Sequence, residues 1–121
     1  MQAMILKHTV DKEYFFQEGC FINELSNHPR DNELSIARVR VRPGDTTQWH
    51  SLRNTTERYL ILHGRGLVEV GDLPPEVVTS GDAVLIPPGA AQRIANTGEE
   101  DLIFLALCTP RFVSTSYQAL E

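Results

Sequence analysis

Residues 44–64 have the sequence GDTTQWHSLRNTTERYLILHG, and residues 81–96 have the sequence GDAVLIPPGAAQRIAN. In each stretch a glycine turn leads into a short segment that ends on polar residues. His50, Glu57 and Gln92 then fall on different predicted strands and could converge inside a barrel. An imidazole nitrogen and a carboxylate oxygen make half of a transition-metal site, and an amide oxygen can add a third ligand. The two stretches therefore predict β structure with a polar site inside it.

Short apolar runs separated by turn residues extend this pattern along the chain. Turns such as Pro43-Gly44-Asp45 separate the runs. Many short strands at even spacing indicate an all-β sandwich or barrel, with at most one short helix near either end. The predicted strands cover residues 20–25, 35–42, 58–62, 66–70, 77–79, 83–86, 92–95 and 102–107, and a further edge strand begins at Ile5 and Leu6.

Both stretches resemble the two sequence motifs of the cupins, in particular the small single-domain proteins called mannose-6-phosphate-isomerase-like. The resemblance covers about residues 34–113 and implies a double-stranded β-helix, also called a jelly roll. It also implies a homodimer. The first motif is matched at Gly44, His50, Glu57 and Gly64, and the second at Gly81, Pro87, Gly89 and Asn96.

Two positions depart from the cupin motifs. Metal-binding cupins usually supply three histidines and one glutamate, whereas this chain has Leu52 and Gln92 at two of the histidine positions. Leucine cannot ligate a metal, and a neutral amide is a weaker donor than imidazole. The resemblance therefore implies a degenerate metal site, in which His50, Glu57 and Gln92 could hold one divalent ion with waters: Zn, Mn, Fe or Ni rather than Mg. Without metal, Glu57 would accept a hydrogen bond from His50, in a structural network or as an acid–base pair.

Strand parity adds candidates for a ligand pocket. Gln48, Tyr59 and Asn96 have the same parity as the three candidate ligands, so we expect their side chains to line the same cavity. By contrast, we expect an apolar outer face around Trp49 and Val39, which would suit a homodimer contact.

Arg38, Arg40 and Arg42 form the one basic stripe of an acidic chain. If the stripe faced the cavity it would favour a carboxylate or phosphate ligand, and if it faced outward it would be solvated or contact a partner. The outward interpretation is favoured. The chain has 11 Lys and Arg residues against 16 Asp and Glu residues, a net charge of −5. This balance argues against non-specific binding to nucleic acid or to an anionic membrane.

The length of 121 residues predicts one domain with a single core. We divide it into an N-terminal strand or arm segment (1–33), the barrel (34–113) and a C-terminal tail (114–121). Cys20 and Cys108 match no metal or redox spacing, so both are predicted to be small buried side chains. Free thiols suit a reducing compartment, and no secretory signal is evident, so we expect a cytoplasmic protein.

Three functions are compatible with these residues. The first is a cupin that binds a small molecule in its barrel, with a weak or absent metal site. The second is a metal-dependent cupin enzyme, such as a dioxygenase or a sugar or keto-acid isomerase, in which the ion polarises a substrate oxygen. The third is an interaction module without a ligand, suggested by the arginine stripe.

Overall fold

The computed structural model describes residues 2–121, and in that range the chain forms eleven strands. Two 3₁₀ turns, Val10–Lys12 and Ser114–Ser116, lie near the two ends, one more short helical segment than predicted. The strands are β1 (Tyr14–Phe16), β2 (Cys20–Ser26), β3 (Ser35–Val41), β4 (His50–Leu52), β5 (Thr56–His63), β6 (Arg65–Val70), β7 (Glu76–Thr79), β8 (Ala83–Ile86), β9 (Gln92–Asn96), β10 (Leu102–Thr109) and β11 (Tyr117–Ala119).

The strands form two antiparallel sheets that face each other across one core. The six-stranded sheet has the order β1-β2-β3-β10-β5-β8, and the five-stranded sheet has the order β11-β4-β9-β6-β7. Neighbours in space are often distant in sequence, as where β10 pairs with both β3 and β5. This is the jelly-roll arrangement, so the predicted all-β double-stranded β-helix is confirmed.

Along the central strands, side chains point alternately into the core and away from it, and the inward ones form the core. Strand β10 alternates buried and half-buried positions because it has a partner on each edge and the core on one face only. Its inward residue Phe104 packs against the ring of Tyr59 on β5, with the ring centroids 4.4 Å apart. Cys20 and Cys108 are both free and buried.

The turn between β5 and β6 brings two backbone segments into direct contact. Gly64 has a φ of +90° there, and a Cβ at this position would lie 2.7 Å from the Asp101 carbonyl oxygen and 3.0 Å from the Leu102 Cα. Both the backbone conformation and the close approach require glycine. This motif glycine therefore acts in packing β5 against the start of β10.

Two predictions about the outside of the barrel are wrong: the edge strand at Ile5 and the outer position of Val39. Ile5 and Leu6 are exposed and belong to no strand, since no neighbouring strand offers their backbone a partner. Val39 is buried and faces the core, so it is not part of an outer face. Trp49 is half-buried, with the guanidinium of Arg93 4.4 Å above its ring.

The arginine stripe faces away from the core and binds carboxylates of its own chain. Arg40 Nη2 lies 2.7 Å from Glu13 Oε1, and Arg38 Nη1 lies 3.4 Å from Glu13 Oε2. Arg42 Nε lies 3.1 Å from Asp45 Oδ2. Two of the three arginines therefore hold the residue just before β1 against β3.

Both flanking segments contribute to the sheets. Within 1–33, whose first residue lies outside the described range, β1 and β2 extend the six-stranded sheet. Within 114–121, β11 is the edge strand of the five-stranded sheet and pairs with β4. No helix within residues 2–121 combines the length and apolarity needed to cross a membrane.

Candidate functional site

A tight turn between β1 and β2 places Glu18 inside the barrel. The backbone N–H of Gly19 donates to the Phe16 carbonyl at 2.9 Å, and Gly19 has a φ of +102° that suits glycine. The N–H of Gln48 donates to the Glu18 carbonyl at 2.8 Å. These bonds fasten the turn to the segment that leads into β4, so the Glu18 side chain meets that of His50.

His50 is held by contacts on both ring nitrogens. Its Nδ1 lies 2.7 Å from the Gln48 carbonyl oxygen, which can only accept, so Nδ1 carries a proton. Its Nε2 lies 3.2 Å from Glu18 Oε1. The Tyr117 ring of β11 stacks on the imidazole, with centroids 5.3 Å apart. The sequence predicted Glu57 as the carboxylate partner of His50; the structure shows Glu18 in that place.

Burial determines the protonation of this pair. It raises the pKa of Glu18 to about 8, with a further contribution from the Glu57 carboxylate, while contacts with Cys20 and Tyr117 offset part of the rise. Burial also lowers the pKa of His50, and its bond to Gln48 offsets part of that effect. Burial therefore favours the uncharged form of each group, in which the Glu18 carboxyl can donate its proton to His50 Nε2 across the 3.2 Å contact.

Glu57 lies deeper in the same interior. Burial raises its pKa to about 7, and the nearby Gln92 amide and Cys108 thiol offset part of the rise. Neither Glu57 Oε1 nor Gln92 Nε2 makes a hydrogen bond of normal geometry. The other end of the Gln92 amide is occupied, because the Tyr59 hydroxyl donates to Gln92 Oε1.

These groups border a cavity of about 80 Å³ between the two sheets. A cavity of this size holds several waters or one small organic molecule. Glu18, His50, Glu57 and Tyr117 form its most polar part, and aliphatic and aromatic side chains, including Ala37 and Phe104, form most of the rest.

The structure brings together four of the six residues that the sequence singled out. His50, Glu57 and Tyr59 line the cavity, and Gln92 lies against it, bonded to Tyr59 and opposite His50 in the β4–β9 register. The Gln48 side chain is exposed, because Gln48 precedes β4 and strand parity does not apply to it.

Asn96 lies outside the cavity and closes the turn between β9 and β10. Its Nδ2 donates to the carbonyls of Val41 and Glu100, each at 2.8 Å, and its Oδ1 accepts from the Gly98 N–H at 2.9 Å. All of its polar atoms are therefore engaged with backbone groups of its own chain.

Sequence reasoning missed Glu18 and Tyr117, which complete the site. The available signal for Glu18 was a carboxylate immediately before a glycine between two apolar segments, Tyr14–Phe16 and Cys20–Phe21. No pattern within the tail distinguished Tyr117. Both residues come from strands or turns at the edges of the two sheets.

The donor set does not fit a resident metal ion. Gln92 Oε1 is occupied by Tyr59, His50 Nε2 faces Glu18, and Leu52 offers no donor atom. Within residues 2–121, no three His, Cys, Asp or Glu side chains are placed so that they could hold a metal together. Of the three predicted ligands, Glu57 alone has a side-chain oxygen that is both buried and without a hydrogen-bond partner.

Fold and site together define a small β-barrel protein with a largely apolar pocket that has an acidic, polar end. The cupin domain model matches residues 37–108, which is more than half of the chain. The chain therefore belongs to the cupin family.

Several known proteins are similar to this chain. The uncharacterized protein MJ1618 of Methanocaldococcus jannaschii is 33% identical over 122 residues, 97% of this chain and 96% of that protein. The oxalate-binding protein of Thermotoga maritima is 33% identical over 86 residues, 69% of each chain. A variant of Streptomyces PAC13, solved with uridine, superposes with a TM-score of 0.78 at 16% identity and covers 100% of this chain and 93% of that one. This last likeness concerns the fold alone.

Proposed function

We propose that this cupin binds a small organic molecule in the barrel cavity without needing a resident metal. The observation that carries the proposal is a cavity lined by the Glu18–His50 pair and by Glu57, whose buried Oε1 has no hydrogen-bond partner. A buried carboxylate oxygen without a partner is costly, so a ligand donor at this position would be stabilised. An oxalate-binding relative and a structural neighbour with uridine support a barrel that accepts small molecules.

The alternative is a metal-dependent cupin enzyme of the dioxygenase or isomerase type, in the mannose-6-phosphate-isomerase-like subgroup. It would need His50 to release Glu18 and Gln92 to release Tyr59, so that both could take up a Zn, Mn, Fe or Ni ion together with Glu57. The free oxygen of Glu57 is the observation in its favour. We keep the cytoplasm as the proposed location, on the ground that both cysteines are free thiols.

Ligand binding can be tested by NMR with a panel of small neutral and charged molecules of four to eight heavy atoms, in the presence of EDTA. We expect some of them to shift the amide signals of residues that line the cavity. Ala37 lines the cavity and is half-buried, so Ala37→Leu should fill the space and abolish these shifts. His50→Ala should weaken binding at least about tenfold, because it removes one polar wall while the strands remain.

Two results would contradict the proposal. If no probe shifts the cavity signals, the cavity is not a binding site under these conditions and the proposal fails. If probes bind only when a divalent ion replaces EDTA, and the ion alone raises the melting temperature, the metal-dependent alternative is supported instead.

We also propose a homodimer through the outer face of the six-stranded sheet. Leu60, Leu62 and Leu85 are exposed there on β5 and β8, and Leu105 of β10 pairs directly with Leu60. Exposed leucines grouped on one sheet face, here with Arg58 opposite Leu85, are typical of subunit contacts. Light scattering should give twice the chain mass of 13.6 kDa, and Leu85→Glu should halve it. A wild-type monomer at micromolar concentration would contradict the proposal.

A further inference from the structure

The ionisable side chains that line the cavity are mainly acidic, and His50 is the one basic group among them. Three glutamates line it, Glu18, Glu24 and Glu57, and no lysine or arginine is among its lining residues. The nearest arginine cluster, Arg38 and Arg40, binds Glu13 on the opposite side of β3. The cavity therefore offers negative charge or proton-bearing acid groups, and no cation to balance an anionic ligand.

The two inner carboxyls are deeply buried without a lysine or arginine partner. Glu18 is 8% exposed and Glu57 is 9% exposed. Their thiol contacts are Cys20 Sγ, 3.6 Å from Glu18 Oε2, and Cys108 Sγ, 3.9 Å from Glu57 Oε2. Thiols are weak donors and carry no charge when protonated. Buried carboxylates in proteins are normally paired with a cation, and Glu57, unlike Glu18 with its His50 contact, has no basic side chain beside it among the cavity residues.

The walls of the cavity are suited to an organic cation rather than to a bare ion. Aromatic rings attract cations through their negative faces, while the apolar surface accommodates a hydrocarbon portion. The aromatic residues that line the cavity are Tyr14, Phe16, Tyr59, Phe104, Phe112 and Tyr117.

We propose that the cavity selects a small organic cation with one protonated amine over a carboxylate or an uncharged molecule of the same size. The ammonium group would donate to the Glu57 carboxylate, which lines the cavity and whose Oε1 has no hydrogen-bond partner, and would balance its negative charge. Oxalate, the ligand in the name of the Thermotoga maritima relative, would instead face three glutamates with no cation beside it. This inference rests on the proposed function, since it presupposes that the cavity binds small molecules.

The test compares n-propylamine, n-propanol, propionate and oxalate by NMR titration in EDTA. At pH 8.5 the amine is protonated and the inner carboxyls can ionise. We expect n-propylamine to bind at least about tenfold more tightly than n-propanol or propionate, and oxalate to leave the cavity signals unshifted. Glu57→Gln keeps the shape of the side chain and should reduce the affinity for the amine to that for the alcohol. Glu76→Gln removes the same charge at an exposed position on β7 and should leave the preference intact.

The outcomes separate this inference from the proposed function. If n-propanol or propionate binds the cavity as tightly as the amine, the selectivity for a cation is wrong while the binding cavity stands. The same conclusion follows if the Glu57→Gln variant has the NMR spectrum of a folded protein and still binds n-propylamine tenfold more tightly than n-propanol. If none of the four probes nor any other molecule of the panel shifts the cavity signals, both proposals fail.

Discussion

Replacing Glu57 with glutamine is expected to stabilise the protein at alkaline pH and to have little effect near pH 4. Burial raises the pKa of Glu57 from 4.5 to about 7 in the folded protein. The folded state therefore binds more protons than the unfolded state between these two values, and the free energy of unfolding falls as the pH rises through that window. Glutamine resembles the protonated acid and cannot ionise, so the variant escapes this loss.

The expected difference is about 3 kcal/mol at pH 9, or roughly 10 °C in melting temperature for a domain of this size. Melting curves of both proteins from pH 4 to pH 9 measure it, and the gap should open between about pH 5 and pH 8. Glu76→Gln is the matched control, since its exposed carboxyl faces solvent on β7. A constant gap across the pH range, or a Glu57→Gln variant less stable at pH 9, would show that Glu57 ionises freely in the fold.

Replacing Gly64 with alanine is expected to cost about 3–4 kcal/mol of folding free energy. The new Cβ would require a left-handed backbone and would lie 2.7 Å from the Asp101 carbonyl oxygen. Because the obstacle is backbone at the start of β10 rather than a movable side chain, the strands themselves must separate. Urea unfolding of the variant should give a lower midpoint with an unchanged slope.

Gly81→Ala is the matched control for this prediction. Gly81 has a φ of +94°, almost the same as that of Gly64, but no heavy atom lies within 4 Å of a Cβ built there. Its replacement should cost only the backbone strain, about 1–2 kcal/mol. If the two variants lose the same folding free energy, the close approach of Gly64 to β10 adds nothing to the cost of Gly64→Ala.

The polar interior explains how this chain can keep the cupin barrel with few of the family's metal ligands. Tyr59 and Gln92 bond to each other, and Glu18 engages the His50 nitrogen that a metal would otherwise use. Polar groups buried in a barrel need partners, and here most of those partners come from the chain itself. Glu57 Oε1, Gln92 Nε2 and the Tyr117 hydroxyl are the exceptions, and the binding proposal depends mainly on Glu57 because it can carry charge.

Local patterns were enough to predict most of the barrel. The bounds of β8 match the prediction at residues 83–86, and β3, β6 and β9 differ from it by one residue at one end. Alternation and turn residues act within a few positions of the chain, so they are visible in the sequence. The convergence of His50, Glu57 and Gln92 followed from motif spacing. The prediction that the Gln48 side chain lines the cavity assumed strand parity, and it was wrong because Gln48 lies in the loop before β4.

The sequence by itself determined the fold class, eight of the eleven strands and the three polar residues that meet in the interior, whereas β1, β4 and β11 were missed. Only the tertiary structure showed that Glu18 is the partner of His50 and that Tyr117 stacks on its ring. Both contacts join segments far apart in the chain, and they depend on how the β1–β2 turn and β11 close over the ends of the two sheets. Such closure is set by the packing of whole strands, so no local pattern of residues encodes it.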